Sequence, residues 1–266
     1  MLTEGVVAVG DFMTEKKEMT DKNAKTPMKF YIVGAGCGDP GLITVKGMEL
    51  LKRADILIYA DSLVHPDLVA ASPAPKKYKS WGMKLEEIIS IIEEGVKEGL
   101  CVVRLHSGDP SLYGSIVEQI VPLQEHGIEV EIVPGVSSMF GAAAALQTQL
   151  TLRGVSESVI VTRPAGQTLS DAEDQIHELS KHDTTMVIFL GIERIEQVMR
   201  SLARPPDTPV AVVYHVSWQD QRILVGTIET IAQQTKKAAI EKSALIIIGN
   251  VVCGAKSAYL NSFLYS

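Results

Sequence analysis

The chain has 266 residues, 46% hydrophobic and 21% charged, with a formal net charge of −7. That length suits one large or two modest domains and supplies a sizeable core. The acidic balance argues against a nucleic-acid surface, which is basic as a rule, but leaves room for a local basic pocket that takes an acidic small molecule.

Cys37, Cys101 and Cys253 lie far apart and form no C-x-x-C pair. Neither a zinc site nor a disulfide framework is expected, and a reduced, cytoplasmic protein is. The longest apolar runs, such as "ALIIIGNVV", fall short of the ~18 residues of a membrane span. The N-terminus lacks the basic-then-apolar order of a signal peptide. No membrane association is expected.

Residues 1–27 are charged and polar without a periodic apolar face, and read as a disordered N-terminal extension. From Met28 the pattern alternates. "KFYIVG" predicts a strand and "TVKGMELLKRA" a helix with Val45, Met48, Leu50 and Leu51 near one face. "DILIYA" predicts the next strand. "KLEEIISIIEEGVKEG" carries Leu85, Ile88, Ile89, Ile92 and Val96 at helical spacing. "CVVRL" reads as a strand, "SLYGSIVEQIVPLQEHG" as a helix despite Pro122, and "EVEIV" as a strand. Near-continuous apolar strands alternating with helices predict a parallel sheet covered on both faces. After the break at Val133-Pro134-Gly135 comes an Ala-rich helix. "SVIVT", "TMVIFL", "PVAVVYHV" and "ALIIIGNVV" predict strands, and "VAVVYHVSWQDQRILVGT" a hairpin turning at residues 219–221. The expected fold is α/β with two domains. Residues 28–135 form a mostly parallel N-terminal domain, residues 136–266 a C-terminal domain with a mixed sheet, and a cleft lies between them.

Two Gly-Asp-Pro triplets punctuate this pattern, in "VGAGCGDPG" (33–41) and "RLHSGDPSLYG" (104–114). The first is not the dinucleotide fingerprint G-x-G-x-x-G. Asp39 stands where the third glycine belongs, and Pro40 to Ile43 delay the helix to Thr44. In the second, Asp109 suits an N-cap and Pro110 the first helical position, so strand, glycine, cap and helix need no ligand. Both turns, however, end strands of a predicted parallel sheet, the edge where open α/β sheets bind ligands.

"FYIVGAGCGDPGLITVKGMELLKRADILIYADSLV", "VVRLHSGDPSLYGS" and "EIVPGVSSMFGAAAAL", in this order, resemble the tetrapyrrole methylase family, from about Met28 to Val251. Within it "YADSLV", "HSGDPSLYG" and "VVYHVSWQDQRILVGT" are most similar to the enzymes that methylate precorrin-4 or cobalt-precorrin-4 at C11. The resemblance implies a homodimeric methyltransferase of cobalamin biosynthesis. Its methyl donor would be S-adenosylmethionine, bound between the domains and leaving as S-adenosylhomocysteine, and its partner an anionic tetrapyrrole. No metal is implied. It places donor contacts at Gly36 and Cys37, where the family usually has proline for the cysteine, and at Ser107, Gly108, Asp109 and Leu112. Further contacts fall on Ser137 and Ser138 after the Pro-Gly break, on Leu190 and Val216 in the second domain, and on Ile248 and Gly249 in the last strand. Each has a plainer alternative. Leu190, Val216 and Ile248 end apolar strands and would be core, Ser137 could cap the Ala-rich helix, and Cys37 could fill a small space. Sister enzymes acting at another corrin carbon or on uroporphyrinogen III remain open, as does a nucleotide-binding module without methyltransferase activity.

Methyl transfer from a sulfonium needs alignment more than acid catalysis, though a base can take a proton from the methylated ring. Asp61 in "YADSLV" is the candidate base or orienter, with His106 and His215 next. Lys46, Lys79, Lys84, Arg104 and Arg163 are cations that could meet substrate carboxylates.

Overall fold

The computed structural model describes residues 29–61, 63–165, 175–256 and 259–261. The expected extension over residues 1–27 lies outside them. The first half is a five-stranded sheet of β1 (Lys29–Gly34), β2 (Ile56–Tyr59), β3 (Lys76–Lys79), β4 (Val102–His106) and β5 (Glu129–Val133), in the order β3-β2-β4-β1-β5. Every pairing is parallel, so all five strands deliver their carboxyl ends to one edge. The crossovers hold α1 (Val45–Arg53), α2 (Pro66–Ala71), α3 (Leu85–Lys97) and α4 (Val117–Glu125). Alternation splits the strands between two cores. Val33, Leu57, Val103 and Leu105 pack with Leu50 and Leu51 of α1 on one face. Phe30, Ile32, Ile58 and Val102 pack with Ile88, Ile92 and Val96 of α3 on the other. Each such fully buried aliphatic side chain contributes about 1.5–3 kcal/mol of transfer free energy.

Thr44 caps α1, its hydroxyl accepting the Gly47 N–H at 3.0 Å. Val45, expected on the buried face, is 78% exposed, because the first helical residue points away from the sheet while Leu50 and Leu51 carry the packing. The helix expected from Pro110 is absent. One turn forms over 110–113, Tyr113 and Ser115 adopt φ of 58° and 47°, and α4 begins only at Val117. Left-handed residues cannot propagate a right-handed helix. The short strand β3 and α2 were not evident in the sequence, "KKYK" having no apolar alternation.

The second half begins with α5 (Ser138–Ala145) and continues through β6 (Val159–Thr162), α6 (Ile176–Ser180), β7 (Thr185–Ile188), α7 (Ile195–Ser201), β8 (Pro209–Tyr214), β9 (Arg222–Thr227), α8 (Ile231–Lys237) and β10 (Ala244–Ile248). Its sheet runs β6-β7-β10-β8-β9, with β6 and β7 parallel and the other pairs antiparallel. The sheet is therefore mixed, as expected. The hairpin forms between β8 and β9, but Tyr214 pairs with Arg222, so the connection is the whole loop 215–221 rather than a tight turn. Again the faces alternate. Met186, Ile188, Val210, Val212 and Ile246 pack with α7 and α8. Val187, Ala211, Val213 and Ile247 pack with Met139 and Ala142 of α5, and Cys37 and Leu112 of the first half join that core. The two halves thus share apolar packing next to the strand-end loops. Among the described residues, no helix is long and apolar enough to cross a membrane.

Candidate active site at the carboxyl edge of the first sheet

The two Gly-Asp-Pro turns meet. Gly36 and Gly108 form an antiparallel bridge, with Gly36 N–H donating to Gly108 O at 3.2 Å and Gly108 N–H to Gly36 O at 2.8 Å. Both take positive φ, 80° and 61°, which glycine adopts without a Cβ penalty. The turn after β5 stacks on them. A Cβ at Gly135 would lie 2.2 Å from Gly108 O, and one at Gly34 2.5 Å from Gly135 N. Three strand ends therefore pack backbone on backbone, and a side chain at either position would force them apart.

Asp109 locks this arrangement. Its Oδ2 accepts the Gly135 N–H at 2.9 Å, and its Oδ1 accepts the Ser111 N–H at 2.8 Å and the Ser111 hydroxyl. Burial acts to raise its pKa, but the Ser111 and Gly135 bonds outweigh it and hold the carboxyl below the usual range. Asp109 thus closes an Asx turn and ties two loops, instead of capping a helix.

The second half supplies the facing wall. Asp39 N–H donates to Ser217 Oγ at 2.9 Å, and Cys37 Sγ lies 3.4 Å from the same hydroxyl. A Cβ at Gly38 would meet the Trp218 ring at 2.3 Å, and one at Gly141 would meet Val216 Cγ1 at 2.6 Å and Cys37 Sγ at 2.7 Å. Val216 is buried within that contact. Further along the seam, the Tyr113 ring lies 5.3 Å from Phe189, with the Arg163 guanidinium 5.2 Å from the Tyr113 ring centre. Burial pushes the Tyr113 phenol up. Leu190 follows Phe189 with φ 53° and is 64% exposed, so it is a presented apolar side chain and not core.

The structure thus brings Gly36, Cys37, Ser107, Gly108, Asp109, Leu112 and Val216 to one seam. Ser137 is buried and caps α5, its hydroxyl accepting the Met139 N–H at 3.4 Å, with Ser138 as the first residue of that helix. A Cβ at Gly108 would lie 3.8 Å from Ser137 Cα, so this cap adjoins the second turn. Ile248 and Gly249 are not gathered there. β10 runs antiparallel to β7 and β8, so its end pairs with Met186 and Val210 at the beginnings of those strands. Ile248 is fully buried core, and Gly249 lines a polar groove with Arg204 and Thr208 at the opposite end. It is Ser243, just before β10, that reaches the near end, its carbonyl accepting the His215 N–H at 3.1 Å. Asp61, at the carboxyl end of β2, pairs with Lys79 at 3.4 Å. His106 is held by backbone, Nδ1 by Ser107 O at 3.0 Å and Nε2 by Gly114 O at 3.2 Å. Ser217, Trp218, Tyr113 and Phe189 sit in no motif that singles them out. The aromatic residues in the polar strings "SLYG" and "SWQD" were the available signal.

The chain has relatives among known proteins. The family model of the tetrapyrrole (corrin/porphyrin) methylases matches residues 29–232. The chain belongs to this family. This methylase is 50% identical over 228 residues to the cobalt-precorrin-4 C(11)-methyltransferase of Methanocaldococcus jannaschii, covering 84% of this chain and 88% of that one. It is 43% identical over 226 residues to the enzyme of that name from Priestia megaterium, with the same coverage. The X-ray structure of a cobalt precorrin-4 methyltransferase of cobalamin biosynthesis superposes with a TM-score of 0.82 at 43% identity, over 85% of this methylase and 96% of that chain. A Thermus thermophilus uroporphyrin-III C-methyl transferase complexed with S-adenyl homocysteine superposes with a TM-score of 0.73 at 30% identity, over 85% and 99%.

Proposed function

We propose that this methylase transfers a methyl group from S-adenosylmethionine to C11 of precorrin-4 or cobalt-precorrin-4 in corrin biosynthesis. The observation that carries the regiochemistry is a gradient of likeness. Identity is 50% and 43% to enzymes named for C11, against 34% to a Bacillus subtilis uroporphyrinogen-III C-methyltransferase of which this chain covers only 48%.

The site fits the donor. The turn at Gly108 leaves space where a Cβ would stand, with nothing nearer than 3.8 Å, and half-buried Leu112 and exposed Leu190 offer apolar surface on the seam. We assign Gly36, Cys37, Ser107, Gly108, Leu112, Ser138, Leu190 and Val216 as contacts, with Asp109 and Ser137 holding the loops in shape. S-adenosylmethionine supplies an electrophilic methyl whose departure leaves a neutral thioether. The chain's task is to fix the acceptor carbon in line and exclude water. Asp61, beside the Lys79 ammonium, suits orientation of a pyrrole N–H at the rim, and Lys79 and Arg163 are cations available to substrate carboxylates. The shared core of Cys37 and Leu112 with α5 supports a domain division at 135/136 with the site on the seam. We take the working form to be a cytoplasmic homodimer, for which the exposed Ile223 and Val225 on the edge strand β9 offer apolar surface to a second copy.

The test is to incubate the protein with [methyl-13C]-S-adenosylmethionine and isolated precorrin intermediates and to locate the label by NMR. Label at C11 is the expected outcome. Label at another ring carbon, or in uroporphyrinogen III alone, overturns the assignment.

A further inference from the structure

Loop 215–221 of the second half touches the first Gly-Asp-Pro turn through Ser217 and Trp218. It opens on His215, which has φ +45°. A bulky residue in the left-handed region is held there by its surroundings, and such strain gathers at functional sites. Several contacts fix the ring. It stacks on Tyr214, with centroids 3.8 Å apart and planes 15° from parallel, and Trp218 lies 5.3 Å away, tilted. Trp218 in turn sits 4.8 Å from the His65 ring of the first half. Asp220 lies at 2.9 and 3.0 Å from Nδ1.

The bond to His215 is the main cause that holds the Asp220 carboxyl below its usual range. An ionised carboxylate only accepts, so Nδ1 carries the proton and Nε2 presents its lone pair in the neutral ring. No hydrogen bond to Nε2 is made among the described residues, and the side chain keeps 23% of its surface exposed. An imidazole oriented through Nδ1 by a carboxylate, with Nε2 unbonded, is the usual arrangement of a general base. Asp61 lacks it, since its carboxylate faces Lys79, and each nitrogen of His106 faces a backbone carbonyl rather than open space.

We propose that His215 is the proton acceptor of the methyl transfer and Asp220 its positioning residue; this rests on the function proposed above. The electron balance is simple. As the ring carbon bonds to the methyl, the C–S electron pair stays on sulfur and the ring becomes cationic. The ring nitrogen's lone pair forms the C=N bond of that cation, the N–H then breaks and leaves its electron pair on nitrogen, and the proton joins Nε2. The resulting imidazolium is stabilised by Asp220 and releases its proton to solvent between turnovers. Loop 215–221 would thus touch the donor's turn through Ser217 and the substrate's proton through His215, coupling the two substrates in one seven-residue element.

The test uses the full-length enzyme with S-adenosylmethionine and its tetrapyrrole. His215→Asn is expected to lower kcat by about 10²–10⁴-fold, the usual contribution of a general base. KM and the calorimetric Kd of S-adenosylhomocysteine should stay within about twofold. Imidazole added to His215→Gly should restore part of the rate. Nitrogen-15 NMR of the wild type should find the neutral ring protonated at Nδ1, and Asp220→Asn should mix the tautomers and lower kcat without changing Kd. A full kcat in His215→Asn, or a wild-type ring protonated at Nε2, overturns the proposal. If His215→Asn fails to fold, Asp220→Asn and the wild-type tautomer decide it. A wild type that methylates no tetrapyrrole, while still binding S-adenosylhomocysteine, overturns the proposed function instead.

Discussion

The Asp109 carboxylate accepts the Gly135 N–H at 2.9 Å across 26 residues of chain, and so ties the end of β4 to the end of β5. With Ser111 satisfying the other oxygen, the carboxylate is committed to the protein's own loops. Asp109→Ala should therefore act first on stability. Hydrogen bonds to a charged group are worth about 1.5–3 kcal/mol each, and chemical denaturation should show a loss of at least one such bond. Asp109→Asn should recover little, because an amide turns two donors toward Ser111 or Gly135, which also donate. A variant as stable as wild type would show that the three-turn plate stands without the lock.

The same carboxylate predicts an acid response. Burial opposes its ionisation, yet the Ser111 and Gly135 donors win and its folded pKa is depressed. A depressed carboxylate contributes stability that is complete above the unfolded value, about 3.9 for Asp, and is lost as pH falls through the folded value. The stability gap between wild type and Asp109→Asn should thus be flat above about pH 5 and shrink below about pH 4. Comparing the two proteins removes the parallel contributions of Glu93, Glu131, Glu178 and Glu196, whose pKa values are also lowered. A gap that does not change with pH would mean that Asp109 acts through shape and not through charge.

How much of this site was legible follows from what kind of force sets each residue. The start of α1 at Thr44 was readable because a helix start is set locally, here by a hydroxyl that reaches only three residues on. The parallel sheet was readable because burial on both faces writes continuous apolar runs. Asp109 looked like a cap for the same local reason, and failed because the determinant is distant. Leu112 must reach the core shared with α5, and Tyr113 must meet Phe189, so the chain turns left-handed at Tyr113 and Ser115. Ile248 and Gly249 were misplaced because strand direction leaves no mark in an apolar run. "ALIIIG" reads alike whichever way it enters the sheet, and only the pairing with Met186 and Val210 shows which end faces the site. The Ser217 and Trp218 contacts with the first turn span about 180 residues, a range at which one sequence carries no pairing signal.

Gly135 should be intolerant of any side chain. Its missing Cβ would stand 2.2 Å from Gly108 O, a backbone atom that moves only with the second Gly-Asp-Pro turn itself. Gly135→Ala should cost at least the ~1–3 kcal/mol of an overpacked core and should weaken S-adenosylhomocysteine binding measured by calorimetry. Gly82→Ala is the matched control. Gly82 has φ +81° but open space around its Cβ position, so only the roughly 1–2 kcal/mol of left-handed backbone strain applies, with no change in ligand affinity. Equal ligand affinity in Gly135→Ala and wild type would detach the plate from donor binding.

Arg104 makes the opposite prediction, a substitution that stabilises. It lies on β4 between Ile32 and Ile58 in the sheet register, on the face whose core holds Ile92 and Leu123. Among the described residues its Nε and Nη1 are buried without a hydrogen-bond partner, and burial alone pulls its pKa down. Unpaired buried donors cost about 1–3 kcal/mol, and an apolar side chain of similar length removes that cost while keeping the packing of the stem. Arg104→Met should therefore raise the unfolding free energy by about 1–2 kcal/mol. The same variant should raise KM for the carboxylate-bearing tetrapyrrole if the guanidinium is kept for substrate, leaving the Kd of S-adenosylhomocysteine unchanged. A loss of stability in Arg104→Met, read by urea denaturation, would mean that ordered water already satisfies those donors and that the arginine is structural.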